Sequence, residues 1–313
     1  MILSVALCTY NGEQYIREQL ESILNQTMPV DEIVVCDDGS TDDTLDIIKS
    51  YKDKTSTAIR IYLNEENFGP ARNFQKAINQ CTGDIVFLSD QDDVWVPDKV
   101  SIIIRYFESN PDIKAVFTNA ILVDENGLML QKTLWDYCFQ PDIKKMFDRG
   151  LQLECFAYGN HATGATMAIK SSLKMPNLDY NKDFLHDHAL ALMAINADGL
   201  GYIEKCTIKY RLHSRQACGL SNATDFTWND FFYPVKEAYS LCTSQNARKR
   251  LAYLDIRRRL RYTLWGPIVV LTRWNSYKKL YSKGAGIMMR GDINESIHHT
   301  IERLTNKISK NKK

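Results

Sequence analysis

Residues 2–110 switch repeatedly between two hydrophobic periods, and this constrains the fold more than any other feature. ILSVAL (2–7) is a short apolar run that ends in the turn pair Asn11-Gly12. Tyr15, Ile16, Leu20, Ile23 and Leu24 then recur at helical spacing, and Pro29 closes that segment. EIVVCD (32–37) is a second strand, and helical spacing resumes at Thr44 with Leu45, Ile47, Ile48 and Tyr51. IRIYL (59–63) is a third strand. Asn67-Phe68-Gly69-Pro70 opens a helix to about Gln80, DIVFLS (84–89) is a fourth strand, and Pro97 begins a helix to about Asn110. Strands alternating with helices over short connections predict an α/β protein, a mostly parallel sheet flanked by helices. In such sheets ligands bind beyond the carboxyl ends of the strands. Three polar clusters sit at those ends: Thr9-Tyr10-Asn11, Asp37-Asp38-Gly39-Ser40, and Asp90 to Asp93.

Beyond Lys114 the alternation loosens. AVFTNAILVD (115–124), ENG and LMLQ predict a strand and hairpin; residues 135–160 are aromatic and irregular; GATMAI (164–169) predicts a strand. Asp187–Ala197 predicts a helix, and GYI (201–203) and CTIKYR (206–211) predict short strands. From about Asp225 the pattern is helical and basic to residue 313, so the chain divides into a body (1–224) and a C-terminal extension (225–313). The extension carries 18 Lys and Arg against 7 Asp and Glu, whereas the body is acidic. Arg, Trp and Leu mixed along 257–274 suit an interface with anionic lipid, and suit equally a helical lid with a solvated face. Nucleic acid is the weaker partner, because no nucleic-acid motif occurs and the body repels phosphate.

At 44% hydrophobic and 25% charged, the chain has an ordinary globular composition. No run of about 18 apolar residues occurs, and the amino terminus lacks a basic signal region, so a cytoplasmic protein is expected. The eight scattered cysteines form no CxxC pair, which argues against structural zinc and fits a reducing compartment.

Asp90, Asp92 and Asp93 fall within four positions after a buried strand. Carboxylates so placed repel one another. A divalent cation removes that cost, and Mg²⁺ or Mn²⁺ favours hard oxygen ligands completed by substrate phosphates. Aspartates that start the helix near Pro97 are the plainer alternative. Asp38, at the end of the second strand, is placed to accept from a nucleobase N–H.

Together, CTYNGEQYI, VVCDDGSTDDT, ENFGPARNFQKAI and GDIVFLSDQDDVW resemble, in order and spacing, the family 2 glycosyltransferases with the GT-A fold. The resemblance covers about residues 1–215. DQDDVW, LHDHALAL and YRLHSRQACG look most like the bacterial rhamnosyltransferase branch. The resemblance implies that Thr9, Tyr10 and Glu13 line the base and ribose pocket, that Asp38 contacts the pyrimidine, and that Arg72 lies near the nucleotide or sugar. It implies a DxD signature at Asp90 and Asp92, with Asp92 holding Mg²⁺ or Mn²⁺ and Asp90 contacting ribose or the metal. His213 would ligate the metal or touch the diphosphate, and Arg211 or Arg215 would neutralise phosphate charge. Asp187 would be the general base of an inverting transfer, although His188-Ala189-Leu190 replaces the family's usual aromatics after it. His161 could line the acceptor site or be a plain loop residue.

The expected activity is transfer of a sugar, L-rhamnose from dTDP-L-rhamnose, to a surface polysaccharide or lipid-linked glycan. A UDP-hexose donor is an alternative, as is a non-catalytic nucleotide-sugar-binding protein. A dinucleotide dehydrogenase is disfavoured, since no GxGxxG follows the first strand.

Overall fold

The computed structural model describes residues 1–216, apart from 158, 174 and 176–184, together with positions 241, 245, 248 and 251. The extension expected over 225–313, and the boundary before it, thus lie outside the described residues except at those four positions.

The first half of the chain is the expected alternation: β1 (Leu3–Thr9), α1 (Ile16–Leu24), β2 (Glu32–Asp37), α2 (Thr44–Lys52), β3 (Ala58–Leu63), α3 (Pro70–Gln80) and β4 (Ile85–Ser89). β1 pairs in parallel with β2 on one side and β4 on the other, and β3 adds in parallel beyond β2. Every residue of β1, β2 and β4 is buried, as a sheet covered on both faces requires. Helices seal those faces: Ile16, Leu20 and Ile23 of α1 and Phe74, Ala77 and Ile78 of α3 are buried in the core. A fully buried side chain such as Phe74 contributes about 2–3 kcal/mol through removal of apolar surface from water.

The second half completes the sheet differently. The two-residue strand β5 (Val94–Trp95) precedes α4 (Lys99–Ser109), which starts two residues later than Pro97 suggests. β6 (Ala115–Val123) and β7 (Met129–Thr133) form the expected hairpin. The aromatic stretch after it contains a 3₁₀ turn (Leu134–Asp136), α5 (Pro141–Asp148) and α6 (Gln152–Phe156). Residues 164–166 form a 3₁₀ turn, so the strand in that region shortens to β8 (Ala168–Lys170). α7 (His186–Asn196) leads to β9 (Leu200–Arg211), one long strand where two short ones were expected. Register shifts opposite Thr118, Asn119 and Ala120 absorb the irregularity that interrupts its apolar pattern.

The strand order is β3-β2-β1-β4-β8-β6-β9-β5, with β7 on β6. β8 runs antiparallel to both β4 and β6, whereas β6 and β9 are parallel. β1 is where the chain order switches sides. The crevice beyond the carboxyl ends of β1, β2 and β4 is therefore the place where a ligand would sit.

Candidate active site

The first two strand ends are stitched to each other. The Thr9 hydroxyl donates to Asp37 Oδ1 (2.7 Å), and Asp37 Oδ2 accepts from the Ser40 N–H (2.8 Å). Gly39 adopts φ +85°, a conformation that costs a side-chain-bearing residue strain, and so turns the chain between them. Glu13 Oε2 accepts from the Asp43 N–H (3.0 Å), so this carboxylate braces the second loop. Asp38 is buried, and its oxygens accept from Asn64 Nδ2 (2.7 Å), the Phe68 N–H (2.9 Å) and the Gly69 N–H (2.8 Å). Asp38 thereby fixes the loop before α3, on which Arg72 lies exposed. Tyr10 is exposed at the crevice edge.

Gln91 clamps the acidic loop to β1. Its Oε1 accepts from the Tyr10 N–H (2.8 Å) and its Nε2 donates to the Tyr10 carbonyl (2.9 Å). From the other side, buried Gln19 on α1 donates to Ser89 Oγ (2.6 Å) and to the Asp90 carbonyl (3.0 Å). Ser22 Oγ accepts from the Trp95 N–H (3.0 Å), and Gln26 Nε2 donates to the Val96 carbonyl (2.8 Å). A polar edge of α1 thus holds residues 89–96. In sequence that edge is indistinguishable from the solvent face of an amphipathic helix, so nothing in the pattern marks it as functional.

The carboxylates divide by environment. Asp92 faces His213, whose Nε2 donates to Asp92 Oδ2 at 2.9 Å. Asp93 is buried; its Oδ1 accepts from the Arg211 N–H (3.1 Å), while its Oδ2 has no partner. Buried Arg211 donates through Nε to the Asp92 carbonyl (2.9 Å) and through its terminal nitrogens to Glu18 (2.6 Å) and the Glu125 carbonyl (3.2 Å). Its guanidinium lies 4.7 Å from the Tyr15 ring centroid. Arg211 is therefore an organiser of the acidic loop rather than the free phosphate ligand suggested by sequence; Arg215 is exposed.

Asp187 opens α7. Its Oδ1 accepts from the His188 N–H (2.7 Å) and its Oδ2 from the Gly164 N–H (3.0 Å). A Cβ on Gly164 would lie 2.7 Å from His186 Nε2, so only glycine lets this loop approach so closely. His186 is itself stacked on Phe74, with ring centroids 4.0 Å apart. His161 Nδ1 donates to the Cys138 carbonyl (2.6 Å), and His161 sits in the loop that leads to Gly164.

Asp187 and the acidic loop share one electrostatic cluster. Burial pushes the Asp90 carboxyl up to about 8, and the charges of Asp92 and Asp187 add to the effect. Burial, then Asp92 and Asp90, also raise Asp93. The opposing cation is Lys99, a fully buried residue that no sequence motif marks. Its Nζ donates to the Ala165 carbonyl (2.9 Å) and lies 3.9 Å from the Trp95 ring centroid. Burial brings Lys99 down to about 7 against the opposing pull of Asp93 and Asp90.

Among the described residues, no three His, Cys, Asp or Glu side chains form a complete metal cage. The Asp90–Asp92 pair still fits a hard cation that takes its other ligands from phosphates: burial and the neighbouring Asp92 and Asp187 charges oppose ionisation of Asp90, and a cation would relieve that.

The mixed sheet flanked by helices has the GT-A architecture. The glycosyl transferase family 2 model matches residues 4–167, and the chain belongs to that family. The putative teichuronic acid biosynthesis glycosyltransferase TuaG of Bacillus subtilis is 33% identical over 216 residues, covering 67% of this chain and 79% of the relative. The fold matches S. aureus TarS 1–349 in complex with UDP-GlcNAc, with a TM-score of 0.58 at 17% identity over 96% of this chain and 89% of that one. It also matches glucosyl-3-phosphoglycerate synthase of Mycobacterium tuberculosis in complex with Mn²⁺, UDP and glucosyl-3-phosphoglycerate, with a TM-score of 0.51 at 18% identity over 77% and 80% of the two chains. No helix among the described residues is long and apolar enough to cross a membrane.

Proposed function

We propose that this glycosyltransferase moves a sugar, with inversion, from a nucleoside diphosphate donor to a hydroxyl of a bacterial surface polysaccharide or lipid-linked glycan. The observation that carries the reading is the convergence of Asp187 with Asp90 and Asp92, close enough for the Asp187 charge to raise the Asp90 carboxyl.

Thr9, Tyr10, Glu13 and Asp38 lie on the side of the crevice where the base and ribose would rest, with Arg72 at its rim. Asp92 and Asp90 would hold Mg²⁺ or Mn²⁺, with His213 beside Asp92. Such an ion supplies positive charge to the diphosphate as it departs. Asp187 takes the proton of the acceptor hydroxyl. The new C1–O bond forms as the C1–O(phosphate) bond breaks, and the electron pair leaves with the diphosphate. The two backbone N–H donors on Asp187 aim its remaining lone pairs, so the base is oriented before the acceptor arrives.

For the donor we favour dTDP-L-rhamnose, on the likeness of DQDDVW and YRLHSRQACG to rhamnosyltransferases. UDP donors are the second reading, since both solved neighbours hold UDP or a UDP-sugar. Transfer and hydrolysis assays across dTDP-L-rhamnose, UDP-glucose, UDP-galactose and UDP-N-acetylglucosamine, with Mn²⁺ and with EDTA, decide between them. Activity with none of these donors, or undiminished activity in EDTA, would overturn the metal-assisted transfer.

A further inference from the structure

A cavity of about 520 Å³ opens away from the acidic loop, between the β6–β7 hairpin, α5 and β9. Its size falls in the range of about 300–1,000 Å³ found for ligand sites. None of the donor-side, metal-side or base residues described above lines it. Its floor is rigid. Trp135 and Phe139, with ring centroids 4.9 Å apart, belong to an aromatic cluster that includes Phe117, Phe147 and Tyr202.

The polar lining is unevenly satisfied. Asp136 accepts from the Thr133 N–H (2.7 Å) and hydroxyl (2.9 Å), and Asp148 accepts from the Tyr202 hydroxyl (2.7 Å). Glu204 pairs with Lys144 at 2.9 Å. Lys145 and Arg149 border the same cavity, and neither side chain has a hydrogen-bond or ion-pair partner among the described residues. They stand four apart at the carboxyl end of α5, where like charges face each other and repel. An anion between them would remove that repulsion and make charge-assisted hydrogen bonds. The carboxylates Asp136, Asp148 and Glu204 keep spare lone pairs for hydroxyl groups, and they disfavour a bare polyanion. The lining therefore suits a ligand with one acidic group and many hydroxyls.

The cavity's lining is linked by hydrogen bonds to the loop that holds the base. Trp135, Asp136 and Phe139 face the cavity, while the Cys138 carbonyl between them bonds His161 (2.6 Å). His161 belongs to the loop whose Gly164 N–H holds Asp187.

We propose that this cavity is a second glycan subsite. It binds a carboxylate- or phosphate-bearing sugar of the acceptor, at a distance from the hydroxyl that reacts, with Lys145 and Arg149 as its anion contacts. This rests on the glycosyl-transfer reading for the word acceptor, but its test is independent of turnover. The full chain is titrated calorimetrically with a maltotriose derivative carrying one uronic acid, with maltotriose carrying one phosphate monoester and with neutral maltotriose. One or both acidic probes should bind with Kd below about 1 mM, and which of them binds identifies the acidic group. The exposed pair Lys145→Gln/Arg149→Gln should weaken that binding at least about tenfold, as expected when both charge-assisted contacts are lost. The thermal shift given by UDP with Mn²⁺ and the melting temperature should not change. Absence of binding by both acidic probes, equal binding of maltotriose, or an unchanged Kd in the double variant would overturn the assignment. If UDP and every donor sugar fail to bind while the acidic probe still depends on Lys145 and Arg149, the transfer reading falls and the subsite stands.

Discussion

The Gly164 N–H donates to Asp187 Oδ2 at 3.0 Å, and Gly164 can do so only because it has no side chain to strike His186. His186 has little freedom to retreat, being stacked on Phe74 and buried. Gly164→Ala should therefore move the 164–166 turn away from Asp187 and misaim the base. A kcat loss of about 10–100-fold is expected, since misplacement of about 1 Å costs that much. Steady-state kinetics should show the loss in kcat rather than in the KM for donor.

Asp187→Asn keeps the shape of the side chain and one acceptor oxygen but cannot take a proton. Turnover should fall about 10²–10⁴-fold, the usual contribution of a general base. The melting temperature should fall modestly, because the asparagine can accept from only one of the two backbone N–H groups that Asp187 satisfies. Asp92→Ala should fall comparably in turnover and, unlike Asp187→Asn, should also lose Mn²⁺ binding in calorimetry. Wild-type activity in Asp187→Asn would remove it from the role of base.

Lys99 holds two parts of the site together, the acidic loop and the Ala165 carbonyl next to Gly164. Lys99→Met leaves Asp90 and Asp93 buried without their cation. Losing the donor to the Ala165 carbonyl and the charge that opposes the two carboxyls should cost about 1–3 kcal/mol. Lys99→Met/Asp93→Asn should recover much of that loss, because the second change removes a carboxylate that the first left uncompensated. Denaturant unfolding of the single and double variants measures the coupling. Additive losses would show that Lys99 and Asp93 do not interact.

Acid should destabilise the fold through its buried histidines. Burial lowers His161 and His186, and brings His188 to about 4 although its contact with the Phe156 carbonyl pulls the other way. At these three imidazoles, near their ordinary value once unfolded, the unfolded chain binds more protons than the native one below neutrality. Stability is thus fully present above the ordinary imidazole value and declines as pH falls towards the folded value. Each histidine contributes up to about 1.4 kcal/mol per pH unit within that window. The raised Asp90 and Asp93 carboxyls act in the opposite sense, so the histidine part is read as a difference: between pH 7.5 and 5, His188→Asn should lose less stability than the wild type.

Much of this protein is written in local pattern. The strand and helix periods of residues 2–110 predict β1 through β4 and the helices between them, because each element's buried face is a property of its own residues. The same pattern places Thr9, Asp38 and Asp90 at the carboxyl ends of strands, and the tertiary pairing of β1 with β2 and β4 makes those ends neighbours. Beyond residue 114 the pattern fails for a physical reason. β8 is three residues long and β5 two, too short to show a period, and both exist only through pairing with distant strands. α5 and α6 lie in an aromatic stretch whose rings pack on Phe117 rather than along a single helix face.

The site divides the same way. Asp90 and Asp92 stand out in sequence as close-set acids after a buried strand, whereas Asp187 stands out only through the family resemblance. Gln19, Lys99, Gly164 and Arg211 are ordinary residues in sequence. Their work is positional: they pin the acidic loop, balance its charge and admit the base loop. A residue's type is local, but the partner it meets across a sheet is set by the packing of the whole chain, and only the tertiary structure could supply it.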